Sequence, residues 1–142
     1  TQGQSDTDIV ELGEVVSAIL KPYDDKRGRI TLEGESVRLP VRATTPLGLV
    51  IHELATNAVK YGALSAERGR IEVCWKTVEA QADIEVELLW KEYQGPAVPH
   101  EQQAGFGSAL LETAALQLGG CIERQWLDGG VCARLVFSLE VE

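Results

Sequence analysis

Apolar residues recur at helical spacing in some stretches of the chain and at every second position in others, and the switch between the two periods lays out the fold. After a polar start over 1–8, expected to be frayed, Ile9, Leu12, Val15, Val16, Ile19 and Leu20 predict a first helix that stops at Pro22. A charged turn over 23–28 leads into alternation over 29–34, and a second short strand over 37–41 would complete a hairpin.

The stretch 47–62, Leu-Gly-Leu-Val-Ile-His-Glu-Leu-Ala-Thr-Asn-Ala-Val-Lys-Tyr-Gly, then predicts a central helix. Thr44-Thr45-Pro46 before it offers a capping hydroxyl and a first-turn proline, and Gly62 a C-terminal stop. At roughly 100° per residue, Leu47, Ile51, Leu54, Ala55 and Ala58 share one arc, the expected core face. Glu53, Asn57, Lys60 and Tyr61 gather on an adjoining arc, which either lines a polar cleft or forms the solvated stripe of an ordinary amphipathic helix.

A loop over 62–69 precedes two alternating runs, 70–78 with Ile71, Val73 and Trp75 on one face and 84–90 with Ile84, Val86 and Leu88 on one face. They predict a long antiparallel hairpin turning near 79–83. The run 93–104 has no hydrophobic period and holds two prolines, so it reads as a long loop, either a functional lid or a surface excursion. Gly105-Phe106-Gly107-Ser108 opens a helix over 109–118, with Leu110, Leu111, Ala114, Ala115 and Leu118 expected on its buried side and Gly119-Gly120 as its stop. Strands over 121–127 and 131–139, joined at Asp128-Gly129-Gly130, close the chain. The expected fold is α+β, one domain over 1–142: a two-layer sandwich whose mixed, mostly antiparallel sheet is covered on one face by about three helices.

Composition narrows the function. A chain of 142 residues can bury a core without disulfides or structural metal, and its net charge of −9 argues against a partner held through a phosphate backbone, so no nucleic-acid partner is expected. Cys74, Cys121 and Cys132 are odd in number and lack the close pairing of a zinc site, so they read as buried free thiols in a reducing, cytoplasmic setting. No run approaches the ~20 apolar residues of a membrane span, so no membrane contact by this domain is expected.

The glycines before the last helix expose backbone N–H groups at the positive end of a helix dipole, a phosphate-binding arrangement, although helix-entry glycines without a ligand are also common. On the central helix, Asn57 could ligate Mg²⁺, which takes few protein ligands and prefers phosphate oxygens for the rest. Lys60 could meet phosphate as a point charge, and Glu53 is placed to orient or deprotonate a nucleophile.

Residues 51–65, Ile-His-Glu-Leu-Ala-Thr-Asn-Ala-Val-Lys-Tyr-Gly-Ala-Leu-Ser, closely resemble the N box of the ATP-binding catalytic domain of sensor histidine kinases, in the form found in the HWE subfamily. That subfamily is marked by a His in the N box and a later Trp-x-Glu, and His52 and Trp90-Lys91-Glu92 match both. Gly105-Phe106-Gly107-Ser108 resembles the second glycine box. The resemblance implies the Bergerat fold of the GHKL superfamily, with ATP between the central helix, a lid over 93–106 and the glycine-box helix. It implies Mg²⁺ on Asn57, Glu53 as general base or orienting carboxylate, Lys60 on phosphate, Tyr61 beside adenine or ribose, and Glu92 as the adenine-side carboxylate. Gly95, Gly105, Phe106, Gly107, Ser108 and Leu110 complete the implied nucleotide contacts.

The first glycine box, Asp-x-Gly-x-Gly in ordinary histidine kinases, reads Glu92-Tyr93-Gln94-Gly95-Pro96 here, and the last hairpin has Val131 and Cys132 where a Thr is common. In such kinases phosphate passes to a His on a separate dimerising hairpin and then to a response regulator, and that hairpin is not expected within this sequence. The implied protein is therefore a homodimer in full length, with this domain monomeric in isolation. A relative that keeps the fold as a nucleotide-free docking domain, or another GHKL ATPase or protein kinase, is the alternative.

Overall fold

The computed structural model describes residues 8–25, 27–81, 83–97, 99, 105 and 107–139. Residues 1–7 and half of the expected lid, Phe106 included, lie outside them.

Five strands form the sheet in the order β2-β4-β5-β7-β6: β2 (Ile30–Gly34), β4 (Arg70–Ala80), β5 (Asp83–Tyr93), β6 (Gly120–Leu127) and β7 (Gly130–Leu139). Every neighbouring pair is antiparallel except β2 and β4, so the sheet is mixed, as the sequence implies. Three helices, α1 (Leu12–Leu20), α2 (Thr44–Lys60) and α3 (Ser108–Gln117), supply the other half of the core. From the sheet come Ile71, Val73, Val86, Leu88, Trp90, Leu135 and Phe137, all buried at alternate positions as the period of two demands.

The expected hairpin over 29–41 does not form. β2 pairs in parallel with β4, Ile30 opposite Ile71, whereas β3 (Arg38–Pro40) pairs antiparallel with β1 (Ile9–Glu11) in a separate two-stranded sheet. The cause is the start of the first helix. Ile9 to Glu11 are extended, and α1 begins only at Leu12, capped by the Glu11 carboxylate, which accepts from Glu14 N at 3.0 Å. Leu12 N then donates to Val37 O at 2.9 Å, drawing the second short strand toward the chain start and away from β2.

On α2, Leu47, Ile51, Leu54, Ala55 and Ala58 are buried as their arc predicts, joined by Pro46 and Val50. Its start differs from expectation: a 3-10 turn, Val41–Ala43, runs directly into Thr44, and no side chain caps the helix. Thr44 Oγ1 is instead buried without a hydrogen-bond partner.

Two further expectations on burial are corrected. Leu110 is 42% exposed, because α3 turns only Leu111, Ala114 and Ala115 inward. The cysteines are free, yet Cys74 and Cys132 are only half-buried and Cys121 is exposed. They sit at strand positions between core residues, such as Cys74 between Val73 and Trp75, so the pleat turns them to the sheet's outer face.

No helix of the described residues is long and apolar enough to cross a membrane.

Candidate nucleotide site

The last turns of α2, the end of β5 and the inner face of β6 and β7 meet in one cleft. Leu54, Asn57, Tyr61, Gly62, Glu92, Arg124, Trp126 and Val131 line it. Each arrives by ordinary local rules: Leu54, Asn57 and Tyr61 by the helical period of α2, and Trp90 with Glu92, or Arg124 with Trp126, by alternation on a strand.

Glu92 is the anchor of the cleft. Only 7% exposed, it accepts hydrogen bonds from Ala63 N at 3.0 Å, from Trp90 Nε1 at 2.9 Å and from the Val131 backbone. Burial nevertheless raises its pKa above the ordinary carboxyl value, since desolvation outweighs the three donors. The Trp-x-Glu spacing thus has a mechanical meaning: residues two apart on a strand share a face, so the fully buried Trp90 can turn its indole N–H onto the Glu92 carboxylate.

Gly62 is required by this contact. Its φ of −112° suits any residue, but a Cβ there would overlap Glu92 Oε1. The glycine that reads in the sequence as a helix stop is therefore a space requirement.

Beside the cleft, Glu53 meets the start of α3. Gly107 is the N-cap residue, with φ of +75°, and a Cβ built on it would overlap the Glu53 carboxylate. Ser108, the first residue of α3, holds Arg124 Nη2 through its hydroxyl oxygen at 2.6 Å. The Arg124 guanidinium also lies 5.3 Å from the centre of the Trp126 ring. Burial pulls its pKa down from the usual arginine range, and the charges of Glu53 and Glu112 oppose that pull.

The structure thus brings together Glu53, Asn57, Tyr61, Glu92, Gly107 and Ser108 of the residues singled out in the sequence. Lys60 is exposed on the last turn of α2 and does not line the cleft, Gly105 is exposed, and Leu110 points outward on α3. Gly95 packs behind the cleft, its N–H donating to Gly129 O at 2.8 Å. The preceding Gln94 takes φ of +58°, the left-handed backbone that a glycine of the first glycine box would adopt freely. His52 is turned away from the cleft residues and pairs with Tyr23 across 2.7 Å between Nδ1 and the phenolic oxygen, tying α2 to the turn after α1.

Arg124 and Trp126 are absent from the sequence reading. The signal was an arginine at an inward position of an alternating strand, between Ile122 and Trp126, where an apolar residue is the rule.

Fold and cleft together define a two-layer α+β domain with a cleft beside the point where its central helix meets a glycine-opened helix start. No protein-family model matches the chain. Blue-light-activated histidine kinase 1 of Erythrobacter litoralis is 39% identical over 140 residues, 96% of this chain and 38% of that protein. The blue-light-activated histidine kinase of Brucella anthropi is 39% identical over 101 residues, 70% of this chain and 21% of that protein. Among solved structures, the histidine kinase domain of the Erythrobacter litoralis EL346 blue-light activated histidine kinase superposes with a TM-score of 0.69 at 19% identity, covering 98% of this chain and 66% of that one. The chain resembles the histidine kinases in sequence and their catalytic domains in fold, as the resemblance of its N box and Trp-x-Glu to the HWE subfamily implies. It spans well under half the length of these curated relatives.

Proposed function

We propose that this domain binds ATP with Mg²⁺ and passes the γ-phosphoryl group to a histidine on a separate domain of a parent sensor kinase. The observation that carries the proposal is a pair of contacts, Glu92 buried beneath Gly62 in the cleft and Glu53 set against Gly107 at the start of α3 beside it. Both glycines leave room that a Cβ would fill.

These residues fit the nucleotide. Glu92, with Tyr61 beside it, would take the adenine end by accepting from its amino group, directly or through water. Asn57 would hold Mg²⁺ through its side-chain oxygen, leaving the remaining positions to phosphate and water. Gly105, Phe106, Gly107 and Ser108 would offer N–H groups to phosphate, with Lys60 adding charge from the exposed turn of α2, Gly95 shaping the adenine side and Leu110 flanking the helix start. Residues 93–106 would serve as the lid.

Bound ATP would supply the phosphoryl group; the protein's part is positioning and charge neutralisation. Glu53 would hold the incoming imidazole in line and take its proton. The histidine domain would also make the full-length kinase a homodimer, leave this domain monomeric alone, and hand phosphate to a response regulator in the cytoplasm, where ATP is available. The left-handed backbone at Gln94 supports this reading over a degenerate docking domain, since that position takes a conformation that a glycine there would adopt freely.

Mixed with the parent protein's histidine domain and labelled ATP, the chain is expected to form acid-labile phosphate on that domain, and Glu53→Gln to slow the transfer by about 100-fold, within the range for a positioned acid or base. Absence of transfer by the wild type, or an undiminished rate in Glu53→Gln, would overturn the assignment.

A further inference from the structure

We infer that Arg124 is a nucleotide-binding residue on the phosphate side of the cleft, one that none of the sequence motifs assigns; the inference rests on the ATP reading above. Three observations converge on it. Arg124 lines the same cleft as Asn57 and Glu92, from an inward-facing strand position where the alternation of β6 calls for an apolar side chain. Its Nη2 is hydrogen-bonded at 2.6 Å to Ser108, the residue that opens α3. Its charge is felt together with that of Glu53, whose carboxylate abuts Gly107 at the same helix start.

Half-burying a guanidinium at such a position is unfavourable unless its charge is used. Trp126 supports one face of the group, 5.3 Å away, which fixes the plane and leaves recognition to its edge. A planar fork held in this way suits two oxygens of one phosphate, a geometry that a lysine cannot offer. The charges of Glu53 and Glu112 favour the charged guanidinium. A phosphate at the start of α3 would therefore meet backbone N–H groups from one side and Arg124 from the other. Ser108 would then act as the rest that orients the fork.

The alternative is that Arg124 only fastens α3 to β6. Binding of ATP and of adenosine, each with Mg²⁺, separates the two roles, because adenosine shares the base and ribose and lacks every phosphate. Charge-assisted hydrogen bonds to phosphate are worth about 1.5–3 kcal/mol, so Arg124→Gln is expected to weaken ATP binding about 10- to 100-fold and to leave adenosine within about twofold. Arg124→Lys, which keeps the charge and loses the fork, should recover part of the ATP affinity. It also serves if Arg124→Gln does not fold. Unchanged ATP affinity in Arg124→Gln, or equal losses for ATP and adenosine, would overturn the inference while leaving the ATP reading intact. A wild type that binds adenosine and ATP equally would overturn the phosphate assignment itself, and one that binds neither would overturn the ATP reading and this inference with it.

Discussion

Glu92→Ala is expected to destabilise the domain by about 3 kcal/mol or more, since an unsatisfied buried donor costs on the order of 1–3 kcal/mol and this carboxylate satisfies the N–H groups of Ala63, Trp90 and Val131. For a domain of this size, each kilocalorie lowers the melting temperature by about 2–4 °C, so a fall of about 6–12 °C is expected in thermal denaturation. A change below about 2 °C would mean that water replaces the carboxylate and that Glu92 does not anchor the cleft. Glu92→Gln keeps the size of the side chain but presents one oxygen and an amino group to donors, so its loss should be smaller and still measurable.

The same residue gives the domain a pH signature. Its pKa is raised in the folded state above the ordinary value of 4.5, so the folded form holds the proton more tightly than the unfolded chain. The contribution is fully present below the unfolded pKa and is lost as pH rises through the higher folded one. Asp25, Glu35 and Glu87 are shifted the other way and lose their contributions as pH falls. The Glu92 effect is therefore read as the difference between wild type and Glu92→Gln. That difference should shrink as pH rises above 4.5, and its growth over that range would contradict the assignment.

Gly107→Ala is expected to have the largest effect on activity, lowering phosphoryl transfer by about 100-fold or more, because a misplacement near 1 Å can cost that much. Two separate penalties act at this residue. The left-handed backbone, φ +75°, costs a residue with a Cβ about 1–2 kcal/mol. The new methyl group also overlaps the Glu53 carboxylate and must displace it from the start of α3. Combining Gly107→Ala with Glu53→Ala separates the two. In the Glu53→Ala background the overlap is gone, so the stability lost on adding the methyl should fall to the backbone cost alone. Additive losses in that double-mutant cycle would show that Glu53 and Gly107 do not press on each other.

What could be read from the sequence was whatever repeats within one element. The buried arc of α2 follows from the positions of Leu47, Ile51, Leu54, Ala55 and Ala58 alone, and the β4–β5 hairpin follows from the alternation of Ile71, Val73 and Trp75 against Ile84, Val86 and Leu88, although Ile84 at the strand's start is exposed. Alternation identifies a strand without naming its partner. That is why β2 was expected beside β3, whereas it lies parallel to β4, across the whole of α2 in sequence. β1 was concealed because three extended residues, Ile9 to Glu11, fall in phase with the helix that follows them.

The site divides along the same line. Glu53, Asn57 and Tyr61 share an arc and could be found on a wheel. The burial of Glu92 depends on Trp90 two residues before it and on donors from Ala63 and Val131, both far off in the chain, and the encounter of Arg124 with Ser108 joins β6 to the start of α3. Beyond the Trp-x-Glu spacing, neither has a local signal other than a charged residue at an inward strand position. Gln94 shows the converse, a residue that departs from the motif in sequence and still takes a left-handed backbone open to glycine.

The central claim, an ATP site that depends on a cation held by Asn57, is tested most directly by titration calorimetry of the chain with ATP, with and without Mg²⁺. Wild type is expected to bind ATP in the presence of Mg²⁺ and far more weakly without it, whereas Asn57→Ala should bind weakly in both conditions while melting within a few degrees of wild type, as expected of a half-buried residue at the cleft edge. No binding heat for the wild type, or Mg²⁺-dependent binding undiminished in Asn57→Ala, would contradict it.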